Sequence, residues 1–341
     1  MRVWRYGLRR LVIAVPQLFG LLTATFFIIR LLPGDPARLI AGPLASEETV
    51  AAIRHQFGLD KPFFPQYFDY LKGLFTRLDL GVSSYTQHPV SQDLVQRFPA
   101  TFELITLALL AIVVTSVSVG VISVVFPKSW LGRSLGPVAF VYGLVAGALP
   151  DFWIGLMLIY FFFFLFHLLP APVGQIDITL GPPHHLTGAQ FVDGLLTANG
   201  SVIISGLLHL VLPVITLAFV YGGPIFKVVV GSVGDVWGSE YLRFARACGL
   251  PPRKLVPYAV RSALPPIITL SATMYSFLLA GAVLVETVFS WGGVGQYAVQ
   301  AISNSDYFAI QGVVLLTGTF TLCVYLLVDL LQLWVDPRIK Y

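Results

Sequence analysis

The chain has 341 residues, and Lys, Arg, Asp and Glu together make up only 11% of them, with 21 basic and 17 acidic side chains. A soluble domain usually contains about 25% charged residues, and the mean hydropathy here is +0.81. This composition excludes most soluble folds and all disordered ones. The two cysteines exclude a disulfide scaffold, and without a CxxC pair or a Cys/His cluster they exclude a zinc or iron–sulfur site. The sequence therefore predicts an all-α polytopic membrane protein.

Six apolar stretches are candidates for transmembrane helices, each of which needs roughly 20 mostly apolar residues. Five of them are uninterrupted: 11–32, 104–126, 207–226, 267–289 and 313–335. The remaining stretch, 134–169, contains Pro150 and Asp151. It is too long for one straight helix and slightly short for two.

The basic residues indicate how often this remaining stretch crosses the membrane. Four arginines precede the first span and six Lys or Arg residues lie in 227–262, whereas 170–203 and 290–312 contain neither. Basic loops stay on the cytoplasmic side, and a single crossing by 134–169 puts every basic cluster there. We therefore expect six transmembrane helices with cytoplasmic N- and C-termini, the third of them long, tilted or broken at its proline.

The expected organisation has three parts, namely the N-terminus with the first helix, an external lobe, and a transmembrane core: 1–32, 33–99 and 100–341. In the lobe, Ser46 is expected to cap a helix that ends at Gly58, and a second helix is expected near 66–75. The lobe is either a docking surface or gate cover, or a spacer that caps the bundle.

A short helix is predicted inside the cytoplasmic loop 227–262. Ser239 can cap its start, and Gly249 can end it in a left-handed conformation because Pro251 prevents continuation. The helix either lies on the lipid surface or presents a small-residue face, Ala245 with Gly249, to another protein. The pattern alone leaves both interpretations open.

Three ionisable residues fall within the predicted spans: Asp151, Glu286 and Asp329. Each costs about 2.5–3.5 kcal/mol to insert, although Glu286 is close enough to the outer boundary for solvation to lower this cost. Each side chain either makes a structural bond inside the bundle or lines a translocation path. His184 and His185 are expected to be a surface pair rather than metal ligands.

Catalytic patterns are absent from the sequence. No GxxxxGK[ST] loop occurs, so we expect the chain not to bind ATP by a phosphate-binding loop. No Ser/His/Asp set is brought together by periodicity, so an integral-membrane enzyme is disfavoured. A stand-alone secondary carrier is less favoured as well, because such carriers usually show repeats or paired broken helices, and one interrupted span is visible here.

The loop reads Glu240-Tyr-Leu-Arg-Phe-Ala-Arg-Ala-Cys-Gly-Leu, followed by Arg261-Ser-Ala-Leu-Pro. This resembles the cytoplasmic "EAA" loop of ABC-importer permeases, in the peptide/nickel branch. Similar motifs run along the chain, among them Leu32-Pro-Gly-Asp-Pro-Ala, Arg97-Phe-Pro-Ala-Thr-Phe-Glu-Leu and Gly281-Ala-Val-Leu-Val-Glu-Thr-Val-Phe-Ser-Trp. The long first external segment is similar to that of the "B"-type dipeptide permeases. Two positions depart from the branch pattern: Gly292, where Pro is usual, and Asp151, where an uncharged residue is usual.

The resemblance implies a type I ABC-importer permease fold in the bacterial cytoplasmic membrane. In that family the loop forms a coupling helix that docks in a groove of an ATPase subunit. The resemblance assigns this role to nine residues: Glu240, Tyr241, Arg243, Ala245, Arg246, Ala247, Cys248, Gly249 and Leu250.

The implied function is that of one half of a heterodimeric translocation pathway for short peptides. The implied partners are a second homologous permease subunit, two ATPase subunits or domains, an extracytoplasmic substrate-binding protein and the lipid bilayer. ATP and Mg²⁺ would be held by the ATPases and no cofactor by this chain. The alternative is the same architecture importing nickel or another peptide-like solute.

Overall fold

The computed structural model describes residues 2–31, 35–42, 44–56, 58, 60–181 and 186–335. Within these ranges the regular secondary structure is helical, and the sole β feature is one antiparallel bridge between Val82 and Pro89. This confirms the predicted all-α class. The predicted histidine pair at 184–185, part of the motif at 32–37, and the C-terminal residues 336–341 lie outside the described residues.

Thirteen α-helices lie within the described ranges. They are α1 (Arg2–Leu31), α2 (Pro36–Ala41), α3 (Glu47–Gln56), α4 (Phe63–Arg77), α5 (Val90–Val125), α6 (Trp130–Val145), α7 (Asp151–Leu158), α8 (Gln190–Leu196), α9 (Gly200–Trp237), α10 (Glu240–Ala247), α11 (Pro252–Val288), α12 (Val294–Ser303) and α13 (Tyr307–Val335). A π-helical segment, Ile159–Leu165, continues α7, and a single 3₁₀ turn spans Ile178–Leu180.

Four stretches are long and apolar enough to cross a membrane, namely α5, α9, α11 and the Tyr307–Leu330 part of α13. Two shorter apolar stretches, Val12–Phe27 and Asp151–Leu165, coincide with the predicted first and third spans. The chain is thus a multi-pass membrane protein. The number of crossings and the side on which each end lies stay predictions at this point.

The third predicted span is interrupted at its proline, as the sequence indicates. Helix α6 ends at Val145, Gly147 adopts a left-handed φ of +83°, and α7 starts directly after Pro150. A proline disfavours helical geometry in the residue before it and has no N–H for the preceding turn. The break therefore follows from the local sequence.

The helices divide into two compact units, Met1–Thr101 with Gly292–Cys323, and Phe102–Trp291 with Val324–Tyr341. In the first unit, Phe26 of α1 lies among the rings of Phe63, Tyr67 and Tyr70 of α4. A second apolar core joins α5, α12 and α13: Val90, Leu94, Val294, Tyr297, Ala301, Ala309 and Val313. The Ser46 cap is confirmed, because its Oγ accepts the Thr49 N–H at 3.3 Å.

In the second unit, glycines let α9 approach its neighbours closely. A Cβ on Gly223 would lie 2.7 Å from the Cβ of Ala146, and a Cβ on Gly281 of α11 would lie 2.5 Å from the Tyr221 ring. In contrast, Gly231 and Gly234 have no described atom within 4 Å of a built Cβ. The close packing that glycines permit between membrane helices therefore does not extend to Gly231 and Gly234.

We expect Gly223→Ala to destabilise the protein, because overpacking a close contact costs about 1–3 kcal/mol. The added methyl group would lie 2.7 Å from Ala146 Cβ and force α6 away from α9. Thermal unfolding in detergent measures the effect. The matched control is Gly231→Ala in the same helix, which should not lower the midpoint, since Ala favours a helix over Gly by up to about 1 kcal/mol.

Restoring the lost space tests the cause of that destabilisation. Ala146→Gly, combined with Gly223→Ala, should reverse most of the decrease in the thermal unfolding midpoint, because it removes the methyl group that the new side chain meets. If Gly223→Ala and Gly231→Ala melt at the same temperature, the close approach of α6 and α9 is contradicted.

Candidate functional site

The short helix that the sequence predicts in the loop 227–262 is present as α10, which has eight residues, Glu240–Ala247. A helix this short is not stable by itself in water, so its contacts with the rest of the chain hold it in place. Leu242 is fully buried and packs with Leu255 and Ala259 of α11. The helix is therefore held at the junction between the end of α9 and the start of α11.

Arg246 fixes α10 to the end of α9. Its Nη2 donates to the Trp237 carbonyl at 2.8 Å and its Nε donates to the Leu242 carbonyl at 3.2 Å. The guanidinium also lies 5.1 Å from the centre of the Trp237 ring, within the range of a cation–π contact. Arg246 thus contacts its own chain.

Gly249 ends α10 in the predicted left-handed conformation, with φ of +84°. Its N–H donates to the Arg246 carbonyl at 2.9 Å, and the Leu250 N–H donates to the Ala245 carbonyl at 3.2 Å. These two bonds form a Schellman motif, which satisfies the last carbonyls of a helix. Cys248 lies in this cap, one residue after the helix.

The exposed face of α10 differs from the small-residue face that the sequence indicates. Ala245 is half-buried and packs against the Leu242 cluster of its own chain. Phe244 is 72% exposed. The other exposed residues of the segment are Glu240, Tyr241, Arg243, Arg246, Ala247, Cys248, Gly249 and Leu250.

Two of these exposed side chains form bonds within the loop region. Arg243 pairs with Glu240 on its own helix at 3.1 Å, and the Tyr241 hydroxyl donates to the Ser262 hydroxyl at 3.1 Å. Neither contact involves the side chain of Phe244. A large aromatic side chain therefore projects from a helix that the chain itself holds in place.

Asp151, the first residue of α7, is the ionisable residue of the interrupted span. It is 8% exposed, and its carboxylate accepts the Tyr221 hydroxyl at 3.1 Å and the Phe152 N–H at 2.7 Å. Both donors are neutral. It does not bond to Glu286 or Asp329, so these three predicted residues do not form one cluster.

Glu286 corrects one expectation. The sequence places it near a solvated boundary, but its side chain is completely buried. After α11 the chain turns at Ser290, which has φ of +51°, and the Trp291 N–H donates to the Glu286 carbonyl at 2.9 Å. Trp291 itself is 1% exposed, so the end of α11 lies within packed protein. Asp329 in α13 is half-buried.

Several buried carboxylates outside the predicted spans escape the sequence reasoning. Asp306, before α13, accepts the Ser83 hydroxyl at 2.5 Å, the Tyr85 N–H at 3.2 Å and the Ala309 N–H at 3.1 Å. Asp93 of α5 accepts the Tyr297 hydroxyl at 3.0 Å. These bonds fix the loop before α5 and helix α12 within the first unit. The only sequence signal is an acidic residue beside an apolar helical run.

A similar arrangement holds the loop before α9 in the second unit. Asp193 accepts the Thr187 N–H and hydroxyl at 2.8 and 2.6 Å and the Gly188 N–H at 3.1 Å. Burial disfavours its charge, but these hydrogen bonds outweigh the burial and hold the pKa of Asp193 below its usual value. Glu103 of α5 accepts the Val192 N–H at 3.1 Å on the same short helix, α8.

Comparison with known protein families agrees with this architecture. Residues 112–341 match the family described as the inner membrane component of binding-protein-dependent transport systems, and residues 3–105 match the N-terminal family of such components. The chain belongs to this family. It is therefore a transport component of the inner membrane, in agreement with its apolar helices.

Three relatives carry the similarity over nearly the whole chain. The probable D,D-dipeptide transport system permease of Escherichia coli K12 is 40% identical over 321 residues, which are 94% of this chain and 93% of the relative. The dipeptide transport system permease of the same strain is 35% identical over 340 residues, 99% of each chain. The di/tripeptide transport system permease of Pseudomonas aeruginosa UCBPP-PA14 is 35% identical over 335 residues, 98% of each. The resemblance to peptide-type ABC permeases is confirmed.

Proposed function

We propose that this chain is one permease subunit of an ATP-driven importer of short peptides, and that it forms half of a translocation pathway with a second, homologous permease. The observation that carries the proposal is full-length similarity to permeases named for dipeptide, D,D-dipeptide and di/tripeptide transport. An extracytoplasmic binding protein would deliver the peptide, in keeping with the family of binding-protein-dependent systems.

The proposed topology has six crossings with both ends in the cytoplasm. Contacts along the interrupted span support a single crossing there. Gly143 lies beside Lys227, Ala146 beside Gly223, and Asp151 bonds to Tyr221, so the segment runs antiparallel to α9. Four residues later Gly155 lies beside Phe289, at the end of α11. As the segment continues, its contacts therefore move in one direction along α9 and reach the end of α11, as expected for a single crossing.

Cysteine labelling tests this topology. In a background without Cys248 and Cys323, Leu186→Cys should react with an impermeant maleimide added outside spheroplasts, because the loop before α9 is proposed to be external. Lys254→Cys, at the start of α11, should react only after the membrane is opened, because that region is proposed to be cytoplasmic. Both positions are exposed. Labelling of both from the same side would contradict the six-span arrangement.

The proposed role of α10 is to dock on an ATPase subunit and to transmit its closure. The exposed Phe244 would enter a groove of the partner, while Leu242 and Arg246 keep the helix attached to α11 and α9. ATP and Mg²⁺ would be bound by the two ATPase subunits or domains, and this chain would hold no cofactor. The lipid-surface interpretation of α10 makes a different prediction for its variants.

We expect Phe244→Asp to reduce binding-protein-stimulated ATP hydrolysis and peptide uptake about tenfold or more in proteoliposomes. Burying a phenylalanine contributes about 1.5–3 kcal/mol, and 1.4 kcal/mol corresponds to a tenfold change in affinity. Gly249→Leu should act in the same direction, because a side chain in its left-handed conformation costs roughly 1–2 kcal/mol. Assembly of the complex is measured in parallel by size-exclusion chromatography.

The matched control is Arg243→Ala on the same helix. Its side chain is exposed and, among the described residues, forms an ion pair with Glu240 alone. Such a surface pair is worth about 0–1 kcal/mol, so uptake should change less than about threefold. If Phe244→Asp assembles and transports as well as Arg243→Ala does, α10 is not the docking element and the lipid-surface interpretation is favoured.

A further inference from the structure

A cavity of about 400 Å³ opens in the second unit where the third span is interrupted. The start of α7, the middle of α9 and the middle of α11 form its walls. The lining residues include Asp151, Val220, Tyr221, Pro224, Met274 and Phe277. Small-molecule sites in proteins have volumes of about 300–1,000 Å³. The cavity is therefore large enough for a solute the size of a dipeptide.

Asp151 contributes a negative charge to this cavity that no cation of the described chain balances. Its two hydrogen-bond donors, the Tyr221 hydroxyl and the Phe152 N–H, are neutral. No ion pair within 4 Å links it to a Lys, Arg or His among the described residues. The N-terminus of α7 favours the charge, but only as a partial dipole. A buried carboxylate with these partners has capacity for a cationic ligand.

A second acceptor lies on the wall formed by α9. Pro224 has no N–H, so it cannot donate to the carbonyl of Val220 four residues earlier, where a regular helix forms a bond. Both residues line the cavity, and a Cβ on Gly147 would lie 3.7 Å from that carbonyl oxygen. The cavity thus combines a carboxylate and a backbone carbonyl that lacks its usual helical donor.

We propose that this cavity binds a primary ammonium group of the transported solute, through Asp151 and the carbonyl of Val220. An ammonium group carries a positive charge and three N–H donors, which match one carboxylate and one carbonyl. The inference rests on the proposed function, which supplies a peptide with an N-terminal ammonium. Met274 and Phe277 provide an apolar wall for the remainder of the molecule.

Photo-crosslinking tests the proposal. The probe is the dipeptide alanyl-benzoylphenylalanine, whose excited ketone inserts into nearby C–H bonds and reacts readily with methionine. It is applied to the complete transporter in detergent without its binding protein, and labelled fragments are identified by mass spectrometry. We expect labelling of the α11 segment that contains Met274. The N-acetylated probe, which lacks the charge, should label that segment about tenfold less.

Variants assign the effect to the carboxylate. Asp151→Asn should reduce labelling by the free-amine probe to the level of the acetylated probe, and Asp151→Glu should restore part of it. The matched control Tyr142→Phe removes a tyrosine hydroxyl that bonds to the Ala218 carbonyl outside this cavity. The free-amine probe should label this variant as strongly as it labels the wild-type protein.

The proposal is overturned if free-amine and acetylated probes label wild-type protein equally, or if Asp151→Asn assembles and labels as wild type does. The comparison of probes on wild-type protein decides the question even if Asp151→Asn fails to assemble. Uptake of dialanine by the wild-type complex with its binding protein is measured separately. If no uptake occurs, the proposed function fails. If uptake occurs but labelling is the same with and without the N-terminal charge, only this inference fails.

Discussion

The Tyr221 side chain joins three helices of the second unit. Its ring occupies the space that a side chain on Gly281 of α11 would fill, and its hydroxyl donates to Asp151 at the start of α7. A buried carboxylate is costly unless it is bonded, and a tyrosine hydroxyl packed against it needs a partner as well. One contact therefore satisfies both groups and brings α7, α9 and α11 together around the cavity.

The same two long helices, α9 and α11, hold the proposed coupling helix at their connected ends. Leu242 packs against the start of α11, and Arg246 bonds to the last residue of α9. A movement of α10 would thereby reach helices that also form the cavity walls, without a long flexible linker between them. Under the proposed function, this continuity would allow closure of an ATPase subunit to change the cavity.

Local sequence rules predicted much of this fold. The cap at Ser46, the left-handed end of α10 at Gly249 and the interruption at Pro150 depend on neighbouring residues, and all three are found. Long-range packing escaped prediction. The bond from Ser83 to Asp306 joins residues far apart in sequence, and the complete burial of Glu286 depends on how the chain folds after α11. The periodicity of apolar residues indicates which face of a helix is buried. Which other element packs against that face depends on the tertiary structure.

We expect α10 to move together with α9, and a distance measurement by pulsed electron resonance tests this joint movement. Spin labels at Cys248 and at Gly231→Cys, both exposed, are placed in a Cys323→Ser background of the complete transporter in lipid nanodiscs. Between the nucleotide-free and ATP-bound states we expect this distance to change by less than about 2 Å, the scale of a small helix shift. A clearly larger change would show that α10 moves independently and would contradict the account.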